Sequence, residues 1–391
     1  MKARPIRPGI DWLGSIDWDR RLFDELIPLP DGTSYNAYLL RSGGMTALID
    51  TDDPAKKAEL LDQLADVEQL DVLIIQHVEQ DHSGSAPDVL DRFPDVRIVS
   101  SVKAKPMIVD HLGIPAEKIT AVRDGETLSL GDWTLEFIEA PWVHWPETML
   151  TYVREQRVLF TCDFFGSHLA TDDLFASENP KVCDAAKRYY AEIMMPFAHQ
   201  IRGHLERLKG YEIDLICPSH GPVRDDPDTI IDAYRHWAID PPKNLVLLPY
   251  TSMHGSTSLM VDRLVTAITE RGIHVEPFNM TVTDIGEYAA HLIDAATVIF
   301  ATPTVLVGPH PNIVFAAYLT GALRPKLRYA GVIGSFGWGS QAAERAQSLC
   351  GNLKVEWFDP VITKGLPDED TYQKLDALAD AIAKKHKELE E

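Results

Sequence analysis

From residue 244 onward, short apolar runs alternate with amphipathic stretches five times, and few folds accommodate that pattern. The runs are 244–250, 274–278, 297–301, 327–334 and 353–358; the stretches between and after them are 256–271, 284–293, 312–322, 340–350 and 368–387. Five βα units predict a parallel sheet covered by helices on both faces. Such a doubly wound sheet takes its ligands at the carboxyl ends of the strands. Just ahead of it stands Asp240-Pro-Pro-Lys243. Proline has no N–H to donate and crowds the preceding turn, so this stretch ends any helix and marks a boundary. The chain therefore reads as two domains, 1–242 and 243–391, each long enough for its own core.

The first domain reads as β-rich. Strands are predicted at 34–41 and 45–50, split by Gly43-Gly44, then at 71–75, 96–100, 133–139, 149–153, 158–161 and 215–217. Helical spacing covers 54–70 and 184–208. The N-terminal Met1-Lys-Ala-Arg-Pro-Ile-Arg-Pro lacks the apolar run of a signal peptide. No stretch approaches the roughly 18 apolar residues of a membrane span, so a cytoplasmic protein is expected. The formal charge of −22 repels phosphate backbones, which argues against a nucleic-acid partner. Cys162, Cys183, Cys217 and Cys350 form no Cys-x-x-Cys pair, so they read as buried or inert thiols rather than a thiolate metal site.

The densest chemical signal is Gln76-His77-Val-Glu79-Gln-Asp81-His82-Ser-Gly, directly after an apolar strand. Alone, it is also what a polar turn or helix cap looks like. Three further residues end apolar segments in the same way: His144 in Ala140-Pro-Trp-Val-His-Trp-Pro, Asp163 in Phe160-Thr-Cys-Asp-Phe-Phe-Gly, and His220 in Cys217-Pro-Ser-His-Gly. Together they offer four imidazoles and three carboxylates. Two metals need about four to six ligands each, and a carboxylate can bridge them. No catalytic group is singled out beyond these ligands. Tyr190 and His168 are candidates for carrying protons, with a structural role as the favoured reading; His111, His199, His236 and His386 read as structural or solvated.

In the second domain the first strand leads into Thr251-Ser252-Met253-His254-Gly255-Ser256-Thr257 and then a helix. Hydroxyls, a glycine and a helix N-terminus together suit a phosphate, because free backbone N–H groups converge and the helix dipole favours an anion. An ordinary Ser/Thr cap is the alternative.

His-x-Glu-x-Asp-His followed by His144, Asp163 and His220 resembles the diiron motif of flavodiiron proteins. The resemblance spans nearly the whole chain and extends to Gly32-Thr-Ser-Tyr-Asn-Ala-Tyr, His144-Trp-Pro-Glu-Thr-Met and Asp163-Phe-Phe-Gly-Ser. It implies a metallo-β-lactamase-like αββα domain followed by a flavodoxin-like domain. It puts His77, Glu79 and His144 on one iron, Asp81, His82 and His220 on the other, and Asp163 between them. Zinc hydrolases of the same superfamily carry His-x-His-x-Asp-His. A carboxylate at Glu79 makes the site harder and more anionic, which favours iron.

In the second half, the resemblance to flavodoxins places the FMN phosphate in the 251–257 loop. It sets Pro303-Thr304-Val305 and Ser335-Phe336-Gly337-Trp338-Gly339 beside the flavin ring. Two positions depart from the family: Val305-Leu-Val307 stands where asparagines are common, and His254 where a bulky aromatic is common. The resemblance implies reduction of dioxygen to water or of nitric oxide to nitrous oxide. Electrons would come from an external donor, a rubredoxin or a reduced deazaflavin, and the chains would pair as head-to-tail homodimers or dimers of dimers. The rival readings are a dinuclear zinc hydrolase fused to a flavodoxin-like module, and a non-catalytic gas or flavin sensor.

Overall fold

A computed structural model describes residues 2–389. Two compact units divide the chain, with the break between Ala238 and Ile239.

The first unit stacks two sheets. One has seven strands in the order Arg4–Arg7, Ile10–Asp17, Thr33–Ser42, Met45–Ile49, Val72–Ile74, Arg97–Ser101, Ile119–Val122. The other has five, in the order Thr127–Leu130, Trp133–Glu139, Met149–Val153, Val158–Cys162, Leu215–Pro218. Side chains alternate across a strand. Tyr38, Leu40, Val72 and Ile74 therefore pack with Leu135, Phe137, Val158 and Phe160 in one core, while Leu39, Leu48, Leu73 and Ile98 join Leu60, Val89 and Ile108 of the covering helices in another.

Ile10–Asp17 carries no clean alternation and was not expected as a strand, yet it pairs antiparallel with Thr33–Ser42 from Ile10↔Leu40 to Asp17↔Thr33. Gly14 permits this close pairing: a Cβ there would lie 2.3 Å from the Tyr35 carbonyl oxygen. The helix expected over 54–70 is shorter, Lys57–Gln63. The one expected over 184–208 is broken into Val182–Tyr189, a π turn Tyr190–Met194, a 3-10 turn Met195–Phe197 and Ala198–Leu208. Pro196 cannot donate to the helical ladder, which accounts for the interruption.

The second unit is a sheet in the order His274–Asn279, Lys243–Tyr250, Ala295–Val305, Tyr329–Phe336, Glu356–Trp357. All four pairings are parallel, and the order 2-1-3-4-5 is that of the flavodoxin-like doubly wound fold. The third strand outruns its expected end. It turns back at Leu306-Val307 to pair antiparallel with Gly308–Pro309, so a hairpin replaces the expected loop after Ala301. Of the fifth run, 353–358, only Glu356–Trp357 is a strand, and beyond Asp359-Pro360 an unexpected strand, Val361–Lys364, pairs parallel with Tyr329–Phe336. No helix among the described residues is long and apolar enough to cross a membrane.

Asp52, beside the sheet end that carries the site, is fully buried, and neither carboxylate oxygen makes a well-aligned hydrogen bond. Burial pushes it up to about 8. That lies above the unfolded value of about 3.9, so the stability it contributes is lost as pH rises between the two values. Asp52→Asn is expected to raise Tm at pH 7.5. The gain should shrink toward pH 4 by on the order of 1 kcal/mol per pH unit, read by thermal denaturation across that range.

Candidate metal centre and flavin loops

All seven predicted ligands come together in the first unit, each delivered by a strand end. His77 follows Val72–Ile74, and its turn is anchored where Gln76 N and Nε2 donate to the buried Asp50 carboxylate at 2.8 and 3.1 Å. The short helix Gln80–Ser83 carries Asp81 and His82 inward, both buried. Asp163 follows Val158–Cys162, and His220 follows Leu215–Pro218. Gly221, at φ +78°, lets the His220 turn lie against Ser167; a Cβ there would sit 2.1 Å from Ser167 Oγ.

The side chains sort into two groups around Asp163. His77 Nε2 and His144 Nε2 lie 3.1 and 3.0 Å from Glu79 Oε2, and 3.5 and 3.4 Å from Asp163 Oδ2. On the other side, His82 Nε2 and His220 Nε2 lie 3.1 and 3.4 Å from Asp163 Oδ1. They also lie 3.3 and 3.2 Å from the two oxygens of Asp81. Asp81 Oδ1 and Oδ2, His82 Nε2 and Asp163 Oδ2 are buried yet make no well-aligned hydrogen bond. Buried charged atoms without partners are costly, so this donor set fits cations better than it fits itself. Cys162 Sγ also lies within 4.8 Å of ligand atoms of His82 and Asp163. Of the four cysteines, Cys162, Cys217 and Cys350 are buried and Cys183 is exposed, and all four are free thiols.

The electrostatics follow. Burial alone would lower His144 and His220, but hydrogen bonds to Asp163, Glu79 and Asp81 outweigh it and lift them to about 9 and about 10. Burial works against ionising Asp163, yet the surrounding imidazoles hold it well below the usual carboxylate range.

Three supporting residues had no assigned role in the sequence. Glu147, with a fully buried side chain, accepts from His77 Nδ1 at 2.7 Å and from Val78 N at 3.1 Å. The Ser34 carbonyl accepts from His220 Nδ1 at 2.7 Å. Tyr189 OH donates to Asp163 Oδ1 at 2.8 Å. Tyr190 packs its ring against Tyr234 and Trp237, at centroid distances of 5.1 and 5.4 Å, which agrees with the structural one of its two readings. One residue is about 100° of helical rotation, so adjacent tyrosines face different surroundings. His168 is near: its ring lies 4.8 Å from that of His220, and Nδ1 is 2.9 Å from Thr33 Oγ1. Burial, with the neighbouring His220 charge, keeps His168 well below its usual value and neutral. A cavity of about 140 Å³ opens onto the cluster, lined by Glu79, His144 and Asp163 with Phe23, Ile27 and Ile193.

In the second unit, the 251–257 loop, Pro303-Thr304-Val305 and the 335–339 loop lie at the carboxyl ends of three adjacent strands. The register sets Tyr250 opposite Ala301 and Pro303 opposite Ser335. Gly255, at φ +90°, caps the helix Ser256–Glu270. Thr251 Oγ1 is buried there without a partner, Ser252 Oγ accepts from Ser258 N at 3.3 Å, and Thr257 Oγ1 lies 3.3 Å from Ser335 Oγ. An unpartnered hydroxyl at a helix N-terminus fits a phosphate. Met253, Trp338 and Leu306 are exposed, Trp338 at 89%.

The geometry defines a class: a metallo-β-lactamase-like sandwich with a two-part cluster of candidate metal ligands, followed by a flavodoxin-like sheet. The sequence profile described as ODP family beta lactamase matches residues 33–221. The nitric oxide reductase of Moorella thermoacetica is 34% identical over 90% of this chain and 90% of its own. The solved structure of rubredoxin oxygen:oxidoreductase from Desulfovibrio gigas superposes with a TM-score of 0.95 at 30% identity, covering 99% of both chains. That of the flavodiiron protein from Giardia intestinalis gives 0.91 at 27%, covering 100% of this chain and 98% of the other. The chain belongs to the flavodiiron protein family, and it is an oxidoreductase.

His144 and His220 are lifted above the unfolded value of about 6.5, so their imidazolium–carboxylate pairs stabilise the metal-free fold below that pH and are lost through about 9 and about 10. Protein stripped by a chelator is expected to lose Tm steadily between pH 7 and 10 in thermal denaturation.

Proposed function

We propose that the chain reduces dioxygen to water, nitric oxide to nitrous oxide, or both, at a non-haem diiron pair in the first unit. FMN in the second unit would be fed by an external donor, a rubredoxin or a reduced deazaflavin. The observation that carries this reading is Asp163, whose two carboxylate oxygens face two separate groups of imidazoles and carboxylates. His77, Glu79 and His144 would hold one iron, Asp81, His82 and His220 the other, and Asp163 would bridge them. The ligands are hard or borderline donors, and Glu79 brings a carboxylate where a zinc hydrolase has an imidazole, so iron is the metal they suit. When bound, the iron pair and the flavin supply the electrons and the Lewis acidity that the reduction needs.

The chain's own residues do the rest. Glu147 and the Ser34 carbonyl fix the His77 and His220 rings so that both Nε2 atoms point at the carboxylates. Tyr189 holds its proton at the phenol oxygen while donating to Asp163 Oδ1, and burial, with the Asp163 charge next, keeps that phenol far above its usual range. Phe23, Ile27 and Ile193 give the cavity apolar walls that suit a diatomic and restrict water. In the second unit, Thr251, Ser252, Met253, His254, Gly255, Ser256 and Thr257 would hold the FMN phosphate. Pro303, Thr304, Val305, Ser335, Phe336, Gly337, Trp338 and Gly339 would flank the ring. The units are taken to be the domains 1–242 and 243–391, in a cytoplasmic protein that pairs head to tail as a dimer or a dimer of dimers.

Anaerobically purified protein is expected to carry about two irons and one FMN per chain. Once reduced, it should be reoxidised repeatedly by dioxygen or by nitric oxide in stopped-flow absorbance. Asp163→Ala is expected to lose iron from both positions while keeping FMN. Zinc in place of iron, or no reoxidation by either gas, would reject the proposal.

A further inference from the structure

The two halves of the cluster are supported by unlike groups. The His77 ring is backed by a charged carboxylate: Glu147 Oε1 lies 2.7 Å from Nδ1, inside a fully buried side chain, and is fixed by Val78 N at 3.1 Å. The His220 ring is backed by a neutral carbonyl, Ser34 O, at 2.7 Å, and His82 Nδ1 is buried without a partner. The shared carboxylate is uneven as well. Asp163 Oδ1, the oxygen that faces His82 and His220, receives the Tyr189 phenol at 2.8 Å. Oδ2, which faces His77 and His144, makes no well-aligned hydrogen bond.

Resting on the diiron reading above, we infer that Glu147 and Tyr189 are positioning residues that make the two iron positions electronically unequal, so that the half-reduced pair keeps its ferric ion at His77, Glu79 and His144 and its ferrous ion at Asp81, His82 and His220. A carboxylate on the far nitrogen of a ligating imidazole raises the basicity of the near one, which stabilises the higher charge. Glu147 places its buried negative charge directly on a ligand ring of the first side; on the second side the buried Asp50 acts on His82 only through space, because its carboxylate is bonded to Gln76 and His82 Nδ1 has no partner. The hydrogen bond from Tyr189 draws electron density out of the oxygen serving the second side, which makes that metal easier to reduce. Both effects act in the same direction. The first electron from a reductant converts the ferric–ferric pair to ferric–ferrous at the second position. A second electron then gives ferrous–ferrous.

A flavin that passes electrons on singly would meet one position that accepts first and a second that is held back.

A redox titration of the loaded protein, followed by the EPR signal of the half-reduced pair, tests this. Wild-type protein is expected to show two separated one-electron steps and a strong half-reduced signal. Glu147→Gln keeps the acceptor oxygen and the shape but drops the charge. It is expected to raise the second step more than the first and to weaken the half-reduced signal. Tyr189→Phe removes the donor from Oδ1 and is expected to lower the first step more than the second. It serves as an independent arm if Glu147→Gln does not fold. Either variant moving the other step by as much or more, or moving neither step, overturns the inference. So does wild-type protein with two irons that takes both electrons in a single step, which leaves the diiron reading standing. Protein that binds no iron pair overturns that reading, and this inference with it.

Discussion

The first unit is organised around one buried carboxylate that must serve two sides at once. Asp163 is almost fully buried and surrounded by four imidazoles, with its two oxygens divided between two groups. Burial on that scale is unfavourable for an isolated anion, so the surrounding fold has to supply positive charge, fix ring orientations and shut out bulk water together. Much of the architecture serves this end. Asp50 anchors the His77 turn, Gly221 lets the His220 turn close on Ser167, and the broken helix after Tyr189 turns a single phenol toward Asp163. Asn36 Nδ2 donates to the carbonyls of Pro218 and Gly221 at 2.8 and 2.7 Å, tying the His220 turn to the neighbouring sheet.

Much of the fold was legible in the sequence because its strands are short apolar runs with little ambiguity of period. The runs at 72–74, 133–139, 149–153 and 158–162 are all strands, and four of the five later apolar runs are single strands of one parallel sheet. What escaped was decided by tertiary contact. Ile10–Asp17 is a strand because Thr33–Ser42 offers it a ladder and Gly14 permits close approach, neither of which local propensity reports. The third strand of the second unit continues through Pro303 into a hairpin, although Leu306 and Val307 both adopt positive φ, at +47° and +73°, a conformation that seldom suits a β-branched residue.

The candidate site divides in the same way. Residues whose chemistry is conspicuous, the histidines and acids at strand ends, could be picked out one by one. The supporting residues could not: Glu147 and Ser34 are ordinary residue types whose role depends on which ring nitrogen they meet. Tyr189 and Tyr190 differ only in helical phase. In the second unit the three loops are adjacent because their strands are neighbours, which the βα alternation implies, but a cleft of about 550 Å³ beside Trp357 and Pro360 has none of the expected flavin residues among its walls. That cleft is a groove at the sheet edge, away from the strand ends that carry the three loops.

The delivery of the seven cluster residues by separate strand ends also bears on the order in which the molecule matures. His77 and His220 sit on different sheets, far apart in sequence, and are joined only once the sandwich has stacked. Small zinc modules gather their ligands from a short segment and fold around the ion. Here the segment 77–82 carries members of both groups, but neither group is complete without a residue far along the chain, His144 for one and His220 for the other, and the long-range pairings that bring them in are among the slowest to form. The two groups are therefore complete only in the folded sandwich, and any ion they take would meet a finished cavity rather than a loop still searching for its shape.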